Sequence, residues 1–426
     1  MTTPDDFLAR PSLRERGWLL KQLRDETVGG VLLLIAAALA LIWANSMWSG
    51  AYFAFVQTEI GPPWLSLPIS AWAADALLAV FFFVVGLELK HEFVLGSLSK
   101  PAKAAVPIAG ALGGMALSAA IYFVINSTAA DGSTRGWGIP MASDIAFGLA
   151  VLAVVGRGVP VALRAFLLTL AVVNDLGAIV VIGIFYSSSF NLWWVLSSIA
   201  CFTIYWYAQR RRITAAYLYV PLVIFTWVSM YESGIHATVA GVVLGLLTRV
   251  RLDPEEALSP ADRVGHRLHP LSAGFGVPVF AFCVVGVDLT AIGLGGVIGT
   301  PIALGVIIGL VIGQPIGVVG TSWVVARFTR ASLAAPLKWL DVAAIGLLAG
   351  IGFTVPLLIA EIAYGEIPVD LDTAKMAILA GSITSALLAS VVLVTRNRHF
   401  ANIALVEEQD EDQDGIPDVY QQGPGR

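Results

Sequence analysis

Apolar stretches long enough to cross a lipid bilayer recur along almost the whole chain. A hydrocarbon core of about 30 Å is crossed by roughly 20 helical residues. About twelve such stretches begin near Val28, Ala71, Lys103, Trp137, Val161, Asn191, Ala216, Ile235, Leu271, Pro301, Asp341 and Ala374. They define an all-α polytopic membrane protein. Composition agrees: 57% of residues are hydrophobic and 13% charged, with mean hydropathy +0.81, whereas a soluble domain carries about 25% charged residues. A soluble enzyme is excluded, and no motif points to nucleic acid, a cofactor or ATP-driven pumping. The first apolar run follows about 27 polar and amphipathic residues rather than a short basic leader, so it reads as a retained helix. Cys201 and Cys283 sit inside apolar stretches and read as small core residues.

The basic residues orient the chain. Cytoplasmic loops hold the excess of Lys and Arg, and laying them on twelve spans puts 23 of the 25 on one face, leaving Arg135 and Lys375 on the other. Both termini are then cytoplasmic. The expected organisation is a cytoplasmic segment 1–27, a membrane domain 28–396 and an acidic, disordered cytoplasmic tail 397–426.

An ionisable side chain near the bilayer centre costs about 2.5 to 3.5 kcal/mol to insert, so each one requires a reason. Asp175 lies inside LTLAVVNDLGAIVVIGIFY, and Asp144 inside GIPMASDIAFGLA. Asp75 opens the second span; Glu88, Lys90, His91 and Glu92 close it; Asp288 and Glu361 lie towards outer ends. Lys90, His91 and Glu92 also fit an ordinary solvated helix end, and Asp288 and Glu361 an outer interface. Two further segments, GWGIPMASDIAF and LLAGIGFTVPLL, place Gly and Pro in mid-span. Interrupted helices free backbone groups that are tolerated only in a cavity or inside protein. When the spans near Lys103, Trp137 and Val161 form one repeat, and those near Pro301, Asp341 and Ala374 another, the two interruptions occupy equivalent middle positions. That pairing is the pattern of an inverted-repeat transporter.

The stretches AVFFFVVGLELKHE, GIPMASDIAFGLAVLAVVGRGVP, NDLGAIVVIGIFY, SGIHATVAGVVLG, HRLHP, GLVIGQPIGV and GIGFTVP together resemble the NhaA-type sodium/proton antiporters of bacterial inner membranes, over about Gly29 to Arg396. The family is a known case of inverted repeats. The resemblance implies two discontinuous helices crossing near the bilayer midplane beside the helix of Asp175, and a second bundle that often makes a dimer contact. The segment Gln57 to Ser70 resembles the family's dimerising hairpin, though Gly61-Pro62-Pro63 and Pro68 oppose a long regular strand.

A hard monovalent cation prefers oxygen ligands, including a carboxylate. Asp175 supplies one, with Asp144, the Ser143 hydroxyl and Thr354 as neighbouring candidates for Na+ or Li+. Desolvation penalises a carboxylate's charged form, which lets a proton compete with the cation. The chain departs from the best-known family pattern in having Asn174 where an acid is expected and Gln314 where a Lys is expected. Removing one partner of a buried ion pair strands a charge at about 3 to 5 kcal/mol, whereas an amide pair leaves none. The paired change implies one proton per Na+ and electroneutral exchange, unless Asp144 or Glu361 carries a second proton. It also fits a change for stability alone.

The region where the family senses pH is represented by Glu88, Lys90, His91, Glu92, His266 and His269, with His236 opening the eighth span. Gly265 stands where the family often has an acid, and His266 and His269 also fit plain polar interface positions. In the tail, Asp410, Asp412, Asp414, Gly415 and Asp418 match a calcium loop whose twelfth position is Gln421 instead of Glu, so a plain acidic tail is the competing reading. Alternatives for the whole chain are an antiporter preferring K+, a non-transporting ion or pH sensor, and a channel.

Overall fold

The computed structural model describes residues 26–407 apart from 100, 157–158, 188–189, 254–255, 257, 289–298, 330, 332 and 334–336. The tail positions Asp410, Asp412, Asp414 and Asp418 and most of the 1–27 segment lie outside the described residues. The chain is a multi-pass helical membrane protein.

In chain order the helices are α1 (Glu26–Ala44), the short α2 (Ser49–Val56), α3 (Ile69–Val94) and α4 (Pro101–Thr128), then α5 (Ile145–Val155) and α6 (Val161–Phe185). They continue as α7 (Leu192–Arg210), α8 (Ala216–Glu232), α9 (Thr238–Leu247), α10 (Pro260–Val284), α11 (Pro301–Phe328), α12 (Trp339–Ala349), α13 (Thr354–Tyr364) and α14 (Pro368–Glu407). Every apolar stretch found in the sequence carries helix. Among the described residues six are long and apolar enough to cross a membrane unaided, and α12 with α13 form one further apolar pair bent by 45°. Helix α10 starts well before the apolar onset near Leu271, because Ser259 caps it, accepting from the Asp262 N–H at 3.1 Å, with Pro260 in the first turn. Helix α14 runs through residue 407, so the first part of the expected tail is helical.

Small residues let the helices approach closely, since lipid supplies no hydrophobic drive between them. Gly241 and Gly245 on α9 face α3; a Cβ on them would lie 2.2 Å from the Ala79 carbonyl oxygen and 2.5 Å from that of Phe83. Helices α4 and α11 meet in the same way, Gly317 against the Gly113 carbonyl. The intervening apolar core falls into two large clusters. One runs from α1 and α3 through α10 to α13, and the other joins the ends of α4, α6, α12 and α14 around Val106, Leu163, Val342 and Leu393.

Between α2 and α3 a minimal antiparallel ribbon pairs β1 (Glu59–Ile60) with β2 (Leu67–Pro68), Glu59 opposite Pro68 and Ile60 opposite Leu67. It stops at two residues a strand because Gly61 turns at φ 139° and Pro68 has no N–H to extend the ladder. Outside the spans, Arg212 and Arg249 both pair with Asp253, and Arg249 also holds Glu256 at 2.8 Å, tying the α7–α8 turn to the segment ahead of α10. The hydrogen bond from Arg212 keeps the Asp253 carboxyl below the usual carboxylate range, and that from Arg249 does the same for Glu256.

Candidate cation site

Two interruptions face each other. The first spans Ala142 to Asp144, between a 3₁₀ turn (Ile139–Met141) and α5; the second spans Gly350 to Phe353, between α12 and α13. The Asp144 N–H donates to the Ile351 carbonyl at 2.8 Å. Gly352 permits the approach, since a Cβ there would lie 2.8 Å from the Ala142 carbonyl oxygen. Asp144 caps α5, with Oδ1 accepting from the Phe147 N–H at 3.2 Å. Its Oδ2 accepts from the Thr354 N–H at 3.3 Å and hydroxyl at 3.0 Å. One carboxylate therefore joins the starts of both half-helices, where their dipoles favour negative charge.

Asp175, on α6, and Asp144, Ser143 and Thr354 line a cavity of about 80 Å3. Its other wall comes from Gly29 and Leu33 of α1, Phe81 and Glu88 of α3, and His269 and Ser272 of α10. A water needs at least about 10 to 15 Å3 of such space, so the cavity has room for a partly hydrated ion. Asp175 is 3% exposed, and its Oδ1 has no hydrogen-bond partner among the described residues. A buried carboxylate oxygen left open beside two hydroxyls and a second carboxylate has the donor chemistry of a hard-cation site.

The two amides are buried but outside the cavity lining, and no hydrogen bond joins them. The expected amide pair is therefore replaced by two separate attachments to the first interruption. The Asn174 side-chain N–H donates to Ser143 Oγ at 3.0 Å. The Gln314 side chain donates to the Pro140 and Met141 carbonyls at 3.1 and 2.8 Å. Adjacent helical residues point in different directions, so Asp175 faces the cavity while Asn174 faces Ser143. Gln314 reaches the interruption from just after a wider π turn, Gly309–Gly313.

The residues considered for pH sensing do not form one group. Glu88 and His269 line the cavity with the carboxylates. Lys90, His91 and Glu92 lie on the last turns of α3, and His266, exposed, contacts the Asp262 carbonyl on its own helix at 2.6 Å. His236 sits elsewhere, its Nε2 3.4 Å from Asp75 Oδ1. Asp75 and Glu88 are 13 residues apart on α3, roughly 20 Å along a helix. Glu361 pairs with Lys375 at 2.7 Å and does not line the cavity. Sequence reading missed Ser272 in the cavity wall and the bidentate contact of Arg396 with buried Asp341 at 2.8 and 3.1 Å. The available signal for the latter was a charged residue in the first turn of α12 and another beyond the apolar run of α14.

Known proteins resemble this chain closely. The family described as Na+/H+ antiporter 1 matches residues 21–393. The chain is 51% identical to the Na(+)/H(+) antiporter NhaA of Mycolicibacterium smegmatis, the match covering 97% of this chain and 96% of that one. It is 49% identical to the NhaA of Streptomyces avermitilis, over 99% and 91%. Identity to the NhaA 2 of Mycolicibacterium vanbaalenii is 48%, over 97% and 92%. In fold it resembles the structure of the sodium proton antiporter MjNhaP1 from Methanocaldococcus jannaschii, with TM-score 0.50 and 14% identity over 92% of this chain and 98% of that one. With this match across nearly its whole length, the chain belongs to the Na+/H+ antiporter 1 family.

Proposed function

We propose that the protein is a secondary Na+(Li+)/H+ antiporter of the bacterial inner membrane, exporting sodium in exchange for protons and so serving sodium and pH homeostasis. The observation that carries this reading is the unpartnered Oδ1 of buried Asp175, in a cavity it shares with Asp144, Ser143 and Thr354. Ionised Asp175 attracts a cation; protonated, it needs none. A site that reorients when it holds either ligand, but not when empty, must exchange one for the other.

The moving body is the unit of α4, α5, α6, α11 to α14, with both interruptions at its centre, rocking against the bundle that supplies α1, α3 and α10. In this reading the chain crosses the membrane twelve times as two inverted repeats, with both termini cytoplasmic. The ribbon at Glu59–Ile60 and Leu67–Pro68 is the proposed homodimer contact. Glu88 and His269, at the cavity, are the proposed pH-responsive pair, ahead of His236. Because Asn174 and Gln314 carry no charge and Glu361 is tied to Lys375, Asp175 is the proposed sole proton carrier, and one proton is exchanged per Na+.

Purified full-length protein in liposomes tests the function. An inward Na+ or Li+ gradient is expected to drive proton efflux, with saturation in the cation, and a K+ gradient to drive at least about tenfold less. Equal rates with K+ would replace the Na+ assignment. No exchange with any monovalent cation would favour the sensor reading.

A further inference from the structure

The second interruption is held by a residue for which the mechanism above has no role. Ser382, buried in α14, makes two hydrogen bonds to one glycine: its Oγ donates to the Gly352 carbonyl at 2.6 Å and accepts from the Gly352 N–H at 3.2 Å. Gly352 is two residues from Thr354, whose N–H and hydroxyl both hold Asp144 Oδ2. It also abuts the Ala142 carbonyl, next to Ser143.

Ser382 also has a counterpart. Asn174 reaches back 31 residues to Ser143 in the first interruption, and Ser382 reaches back 30 residues to Gly352 in the second. Each interruption is thus fixed by a polar side chain from the helix after its second half, α6 or α14, at separations that differ by one residue. In the first case the neighbouring residue is Asp175.

We infer that Ser382 is a positioning residue for cation binding: by fixing the backbone on both sides of Gly352 it sets where Thr354 holds Asp144, and so sets the affinity of the cavity for Na+ and Li+. The inference rests on the antiport reading and adds to it a residue that touches neither ion nor proton. An interrupted helix has no neighbouring turn to hold its freed N–H and C=O, so a buried hydroxyl that satisfies both of Gly352's restrains the two peptide planes that meet at its Cα. Without it, the Gly352 peptide gains freedom and Asp144 loses its set distance from Asp175, whose own place on regular helix is unaffected.

The test compares full-length variants in liposomes. Ser382→Ala is expected to raise KM for Na+ and Li+ by about tenfold, the scale of one buried hydrogen bond, while maximal rate stays within about twofold. Ser382→Thr, which keeps the hydroxyl, is expected to restore KM. Ser385→Ala, one turn away and with no hydrogen bond at its Oγ, is expected to leave KM unchanged. Where Ser382→Ala does not accumulate, Ser382→Cys takes its place, a weaker donor of similar volume, with a smaller rise in KM. A lowered thermal midpoint with unchanged KM, or an equal rise in KM for Ser382→Thr, would overturn the inference. Wild-type exchange with an unmoved KM in Ser382→Ala removes this inference alone, whereas absence of wild-type Na+ exchange removes the antiport reading beneath it.

Discussion

Asp175→Asn is expected to abolish exchange, lowering the Na+-driven proton flux at least about 100-fold, the lower end of what a positioned proton-transferring group contributes. The substitution keeps volume and hydrogen-bonding capacity but removes the buried carboxylate whose Oδ1 has no hydrogen-bond partner among the described residues. The protein is expected to keep its thermal midpoint, or gain slightly, because a buried ionisable group is costly to the fold. Flux by Asp175→Asn within about tenfold of wild type would move the exchange to another carboxylate. Asp144 and Glu88 are the other carboxylates that line the cavity, and both oxygens of Asp144 already accept hydrogen bonds, from Phe147 and Thr354.

The second large effect concerns the residue beside it. Asn174→Asp buries a carboxyl against Ser143, where the present amide donates a hydrogen bond, and the Gln314 side chain offers no charge to balance it. An uncompensated buried charge costs about 3 to 5 kcal/mol. The cost is absent while the new carboxyl holds its proton and grows as pH rises, so the thermal midpoint is expected to stay near the wild-type value only in acid and to drop steeply in mildly alkaline buffer. Adding Gln314→Lys supplies a cation near the same interruption and is expected to recover part of the loss. A pH-independent midpoint in Asn174→Asp would mean that the site is wetter than its burial implies.

Much of this arrangement was legible in the sequence. Asp175 stood out because a carboxylate inside an apolar helix has a known cost, and the two interruptions because Gly and Pro rarely fall together in mid-span without a cavity. The partners of Asn174 and Gln314 were not legible. A substitution pattern suggests that two residues change together, but helical geometry turns Asn174 away from the face of Asp175, and the carbonyls freed at Pro140 and Met141 offer Gln314 acceptors that the sequence does not display. Ser382 looked like any serine in an apolar helix, since its significance depends on a glycine 30 residues away. The histidines read as part of a pH-sensing region through the family resemblance and their titration near neutral pH; folding puts His269 at the cavity and His236 against Asp75.

The most direct test of single-carboxylate exchange is electrical. Na+-driven proton movement by the wild-type protein in liposomes is recorded at zero potential and at an imposed potential of either sign, with Asp175→Asn as the inactive control. One proton at Asp175 per Na+ predicts the same rate at every potential and no net charge movement. A rate that rises with potential of one sign and falls with the other would require a second proton carrier and contradict the account.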